Sequence, residues 1–184
     1  MKQDNEIRLE SSEPSLTIKV KLKLGLWLFI YKMFFRWTPH KLNSFRIILL
    51  KIFGAKIGKN CFIHQSVMIY MPWNFTMGNN SSIDFDTIIY SLGKVEIQDF
   101  VSIAYKVNLN TASHDYTDPK FKLIVKNTII ESGVFIGTEA YLSPNIRIGK
   151  MAVIGARSVV TKNMPENYIS FGNPCKAYRI RGKY

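Results

Sequence analysis

The chain holds three imidazoles, His40, His64 and His114, and these are the side chains best placed to exchange a proton near neutral pH. A neutral imidazole, with an ordinary pKa of about 6.5, can take the proton of a hydroxyl that is otherwise a poor nucleophile. A zinc centre built on histidine would need all three around one ion. They are spread over an N-terminal segment, the start of a repeat and a loop, so no metal is expected. The two cysteines, Cys61 and Cys175, lie in no motif that would activate a thiol, and they are too few for a disulfide framework. A thiol nucleophile is therefore not expected, and a reducing compartment fits.

What must position such a base is set by a repeat of six. Ile57, Ile63 and Ile69 begin it; Met77, Ile83 and Ile89 follow after two extra residues, and Ile97, Ile103 and Leu109 after two more. Ile130, Ile136, Leu142, Ile148, Ile154 and Val160 then run without a break. Ile, Leu, Met and Val make up 53 of the 184 residues, so fifteen chance matches would arise at roughly one in a hundred million. The place four residues after each mark is mostly small or β-branched, Cys61 and Ser113 included. Six residues form one flat side and three sides one coil, which predicts an all-β parallel β-helix over 57–165 of about five coils, rising about 4.8 Å each. An α/β alternation is excluded, because helical spacing never separates these short strands.

The step from Leu109 to Ile130 is one hexad plus a 15-residue excursion, 115–129. His114 alone of the histidines stands at such an insertion, where a loop on a rigid coil commonly carries function.

Charge is unevenly spread. The net formal charge is +12, and 14–83 contains no Asp or Glu but ten basic residues, among them Lys19, Lys21, Lys32, Arg36 and Arg46. Within the N-terminal arm, 1–56, Leu24, Trp27, Leu28, Tyr31, Phe34 and Phe35 recur at helical spacing, and Phe45, Ile48, Leu49 and Ile52 repeat the pattern before Gly54. Two amphipathic helices are predicted, packing on the coil and turning lysines outward. Basic residues beside Trp and Phe also suit peripheral contact with an anionic membrane surface. The apolar runs are too short to span a bilayer, no export signal opens the chain, and a cytoplasmic protein is expected. No nucleic-acid-binding module accompanies the charge.

The hexads resemble those of the hexapeptide-repeat acyltransferases. Trp37-Thr38-Pro39, Phe53-Gly54-Ala55-Lys56-Ile57-Gly58, Pro72-Trp73-Asn74, the Ser-His-Asp-Tyr loop and Gly172-Asn173-Pro174 are together similar to the colanic-acid-type sugar O-acetyltransferases, related to the galactoside, maltose and nodulation enzymes. The resemblance implies a left-handed coil, acetyl-CoA as co-substrate, no metal, and a homotrimer with its sites between subunits. It implies direct attack by a hydroxyl of a sugar or lipid-linked saccharide, with His114 as base and the Thr138 N–H near the oxyanion. Asp84 occupies the position of an acceptor-binding Asn, either to bind the acceptor or to stabilise a charged His114. Asp86 and Tyr116 are lesser acceptor-side candidates. Gly155, Ala156, Thr161, Lys162, Lys176 and Arg179 match the coenzyme side, the last two in the tail 166–184. The pathway implied is exopolysaccharide, capsule or lipopolysaccharide synthesis; a small free acceptor such as a sugar, amino acid or antibiotic, or a non-catalytic scaffold, are the alternatives.

Overall fold

A computed structural model describes residues 16–182. Helix α1, Ile18–Ile30, runs on through a π-turn at Tyr31–Phe35; a short 3-10 turn, His40–Leu42, leads into helix α2, Asn43–Ile52. Helix α2 ends in a Schellman cap: Gly54 takes φ 101°, its N–H donates to Lys51 O at 2.9 Å, and the Ala55 N–H donates to Leu50 O at 3.0 Å.

The hexads then wind into three parallel sheets. The first starts at Lys56–Ile57, the second at Phe62–Ile63 and the third at Met68–Ile69. Each aliphatic mark stacks on its counterpart one coil on: Ile57, Met77, Ile97, Ile130 and Ile148 in the first sheet, and Ile63, Ile83, Ile103, Ile136 and Ile154 in the second. The third stacks Ile69, Ile89, Leu109, Leu142 and Val160. All of these side chains are buried and together they fill the prism. Cys61, expected in the core, is there, with its Sγ 2.9 Å from Gly78 O.

Successive coils approach closely at the corners. A Cβ added to Gly137 would lie 2.6 Å from Ala156 N and 2.9 Å from Gly155 C, both backbone atoms of the next coil. Gly137→Ala should therefore cost on the order of 2 kcal/mol and lower Tm by about 4–8 °C in a thermal melt; an unchanged Tm would contradict this packing.

The arm closes the open bottom of the prism. A first coil has no earlier coil to pair with, and unpaired strand edges are a liability. Trp27 Nε1 donates to Ile69 O at 2.8 Å, beneath the third sheet. Asn43 Nδ2 donates to Cys61 O at 2.8 Å, its Oδ1 accepts from Ile63 N at 3.0 Å, and Arg46 Nε donates to Ile63 O at 2.9 Å, beneath the second. The buried face of α1 is as expected at Leu24, Trp27, Tyr31 and Phe35, but Phe34 points outward. For α2 the expectation is inverted. Arg46 and Leu50 are buried, while Phe45, Ile48 and Ile52 are exposed, because the Arg46 donors find carbonyl partners on the coil and in the turn before the helix.

Two further departures concern the ends of the repeat. Ser113 is exposed, not inward, since the chain leaves the coil at Thr111, whose buried hydroxyl donates to Tyr90 O at 2.7 Å. The tail is not a bare extension. Met164 bridges to Ile148, Tyr168–Gly172 adds a parallel sixth rung to the second sheet, and Cys175–Ile180 folds back antiparallel on it.

Candidate active site

His114 ends a strand, Ala112–His114, that pairs antiparallel with Leu123–Val125, so the insertion is a hairpin standing off the coil. It returns earlier than the hexad count predicts, with Thr128–Ile130 already in the first sheet. Local bonds shape its tip. Asp115 accepts from the Thr117 N–H at 2.9 Å and hydroxyl at 2.6 Å; Asp118 accepts from the Lys120 N–H at 2.9 Å and pairs with Lys122 Nζ at 3.0 Å. The Thr117 hydroxyl holds the Asp115 carboxyl below the usual carboxylate range, and the Lys120 N–H does the same for Asp118. These carboxylates build the loop, and the orienting partner of His114 lies elsewhere.

That partner is a backbone carbonyl. His114 Nδ1 lies 2.9 Å from Phe121 O. A carbonyl oxygen only accepts, so Nδ1 carries the hydrogen, and in the neutral imidazole Nε2 then holds the lone pair. The imidazole also stacks on the Phe121 ring, with centroids 4.7 Å apart and planes 8° from parallel. Phe121 takes φ 48°, a left-handed conformation that it shares with ten other non-glycine residues among those described and that costs roughly 1–2 kcal/mol. Phe121 has no mark in the sequence, since its contribution is a main-chain atom and a flat ring.

The other predicted residues fall on two edges of the third sheet. On the edge shared with the second sheet, Asp84 and Asp86 occupy the turn of the second coil, Thr138 that of the fourth, and Gly155 and Ala156 that of the fifth. The Asp84 Oδ1 accepts from the Phe85 N–H at 2.8 Å, and Asp84 sits one rung above His64. Burial lowers the His64 pKa, opposed by the charge of Asp84. The Asp86 N–H donates to Ser66 Oγ at 2.7 Å. Thr138 O accepts from the Arg157 N–H at 2.8 Å; among the described residues its own N–H meets no acceptor. On the opposite edge, shared with the first sheet, stand the base of the His114 hairpin and, two rungs nearer the C-terminus, Thr161 and Lys162. Lys176 and Arg179 are exposed on the tail strand, and Tyr116 is 82% exposed at the hairpin tip.

Within one chain, therefore, His114 and Asp84 are not brought together. They lie on either side of a prism face about 15 Å wide. His40 and His64, by contrast, do approach, with ring centroids 6.4 Å apart, away from His114. Among the described residues no three metal-ligating side chains converge.

No family model matches the chain. It is 36% identical over 160 residues, 87% of its length, to an Escherichia coli K12 protein named for colanic acid biosynthesis, the acetyltransferase WcaF, of which 88% is covered. A maltose O-acetyltransferase from Clostridium difficile 630 superposes with a TM-score of 0.82 at 26% identity, covering 91% of this chain and 90% of its own. A galactoside acetyltransferase solved in complex with coenzyme A superposes at 0.82 with 25% identity, covering 92% of this chain and 86% of its own. The chain belongs to the hexapeptide-repeat acetyltransferases with a left-handed parallel β-helix, on the branch of the colanic acid, galactoside and maltose proteins.

Proposed function

We propose that this acetyl-CoA-dependent acetyltransferase transfers its acetyl group to a sugar hydroxyl, with His114 as general base, at sites shared between the subunits of a cytoplasmic homotrimer. The acceptor is a saccharide, free or lipid-linked, on the way to an exopolysaccharide, capsule or lipopolysaccharide.

The observation that carries the reading is the Nδ1 contact to Phe121 O, which leaves Nε2 free to accept a proton. As the acceptor hydroxyl loses that proton to Nε2, its oxygen bonds to the thioester carbonyl carbon, and the carbonyl oxygen becomes an oxyanion. The Thr138 N–H is a donor for that charge. Collapse breaks the C–S bond, and the imidazolium returns its proton to the thiolate, so acetyl ester and CoA thiol leave with atoms and charge balanced. A Thr or Ala corner and exposed basic side chains suit the coenzyme: Gly155 and Ala156 let its chain pass close to backbone, and Thr161, Lys162, Lys176 and Arg179 offer donors to its phosphates.

The separation of His114 from Asp84 and Thr138 within one chain supports the shared site. The outer faces agree: the first sheet turns out Lys56, Thr76, Glu96, Ile129 and Arg147, whereas the second turns out Phe62, Ser82, Ser102, Phe135 and Val153 and the third Met68, Ile88, Asn108, Tyr141 and Val159, faces without a charged side chain. The latter two faces suit burial against neighbours.

Subunit complementation tests this. Asp84→Ala should raise the acceptor KM by about tenfold or more, as expected of a lost hydrogen bond to a charged group. Mixed assemblies of His114→Ala and Asp84→Ala chains should then recover activity that neither shows alone at low acceptor concentration. Absence of recovery in verified mixed trimers would place each site within one chain.

A further inference from the structure

Helix α1 is apolar on two opposite faces. One packs on the coil through Leu24, Trp27, Tyr31 and Phe35. The other consists of Ile18, Leu22, Leu26, Phe29 and Met33, spaced three and four apart along the helix and its π-turn, with Trp37 in the turn that follows, and all are more than half exposed, from 53% at Met33 to 78% at Trp37. Such a series forms one stripe at helical periodicity. Lys19 lies on one flank of the stripe, and Lys21 and Lys32 on the other, all exposed. Helix α2 repeats the arrangement on a smaller scale, with Ile48 and Ile52 turned outward beside Lys51. A surface helix of a globular protein has no need of the second apolar face, and large exposed apolar patches mark interaction sites.

We propose that this outer stripe docks on a lipid bilayer bearing anionic headgroups, with α1 lying in the interface plane. Apolar residues would enter the headgroup and acyl boundary while the flanking lysines meet lipid phosphates. Charge selects the occupant: 14–83 carries no acidic residue and, beside the buried Arg46, nine basic ones, all exposed, which complements an anionic surface and repels a second copy of the same arm. No helix among the described residues is long and apolar enough to cross a membrane, so the contact is peripheral. The inference stands on the arm alone and does not depend on the acceptor being lipid-linked.

The test is co-sedimentation of the full chain with vesicles of phosphatidylcholine alone or with one third phosphatidylglycerol, at physiological ionic strength, with tryptophan emission followed in parallel. Binding to the anionic vesicles alone, with a blue shift as the exposed Trp37 leaves water, is the expected result. The triple variant Leu22→Ser, Leu26→Ser, Phe29→Ser should bind at least tenfold more weakly at unchanged Tm, and Lys19→Gln, Lys21→Gln, Lys32→Gln should weaken binding to a similar degree. Three results would overturn the proposal: no sedimentation of the wild type, equal sedimentation of the serine variant, or self-association through the stripe, seen as a larger species that the serine variant breaks up without any vesicle binding.

Discussion

His114→Ala lowers kcat for acceptor-dependent release of CoA thiol by about 10²- to 10⁴-fold, the range that a positioned proton acceptor contributes. The size follows from what the variant leaves in place. The residues proposed to hold the coenzyme lie on other turns of the coil, so the KM for acetyl-CoA should stay close to the wild-type value. The hairpin keeps its pairing of Ser113 with Ile124 and the Asp115 N–H bond to Lys122 O at 2.9 Å. The imidazole is only half-buried, so Tm should move by no more than ~2 °C. A loss of rate without a loss of fold or coenzyme affinity distinguishes a base from a residue that merely shapes the loop. Phe121→Ala provides the contrast. It removes the ring stacked at 4.7 Å but keeps the carbonyl that fixes the tautomer, so its effect on kcat should be the smaller of the two. A His114→Ala enzyme within tenfold of wild type would remove the imidazole from the mechanism.

The largest expected effect on stability is at Arg46. Its guanidinium is fully buried, and among the described residues it pairs with no carboxylate. Its charge is met by Ile63 O at 2.9 Å, Thr38 Oγ1 at 2.9 Å, Pro39 O at 2.9 Å and His40 O at 3.1 Å. Arg46→Met preserves most of the volume but takes the donor from Ile63 O, Thr38 Oγ1 and His40 O, each at a cost of about 1–3 kcal/mol where water cannot reach, while Pro39 O keeps the Leu42 N–H at 2.9 Å. Relief of a buried charge offsets part of this. The balance should be a loss of about 3 kcal/mol, which in a chain of this size lowers Tm by about 6–12 °C. The bonds join the turn before α2 to the lowest rung of the second sheet, so hydrogen exchange should rise first in the arm and the first coil. A Tm within ~2 °C of wild type would mean that the arm is held by its apolar face alone, through Trp27 and Phe35.

The same residue explains where sequence reading succeeded and failed. The coil was legible because each aliphatic mark points inward once per side, so a two-residue strand still leaves a period in the chain. A helix can bury a polar side chain whose donors are met by hydrogen bonds: in α2 the apolar spacing of Phe45, Ile48 and Ile52 marks the outer surface, while the arginine is inside. The tail hairpin was illegible for another reason. Tyr168–Gly172 stacks Ser170 where the hexads place an aliphatic residue, so the period stops although the sheet continues. At the candidate site, the proposed base, His114, is marked in the sequence by its place at an insertion. Its orienting group is not, because a main-chain carbonyl at Phe121 has no residue type to signal it.

The central claim, acetyl transfer to a sugar hydroxyl with His114 as base, is tested most directly by CoA thiol release from acetyl-CoA across a panel of free, oligomeric and lipid-linked saccharides, with products identified by mass spectrometry. Release should depend on a saccharide, leave an acetyl ester on that saccharide, and be lost together with the ester in His114→Ala. Thiol release that is independent of any saccharide, or an ester formed equally well by His114→Ala, would contradict it.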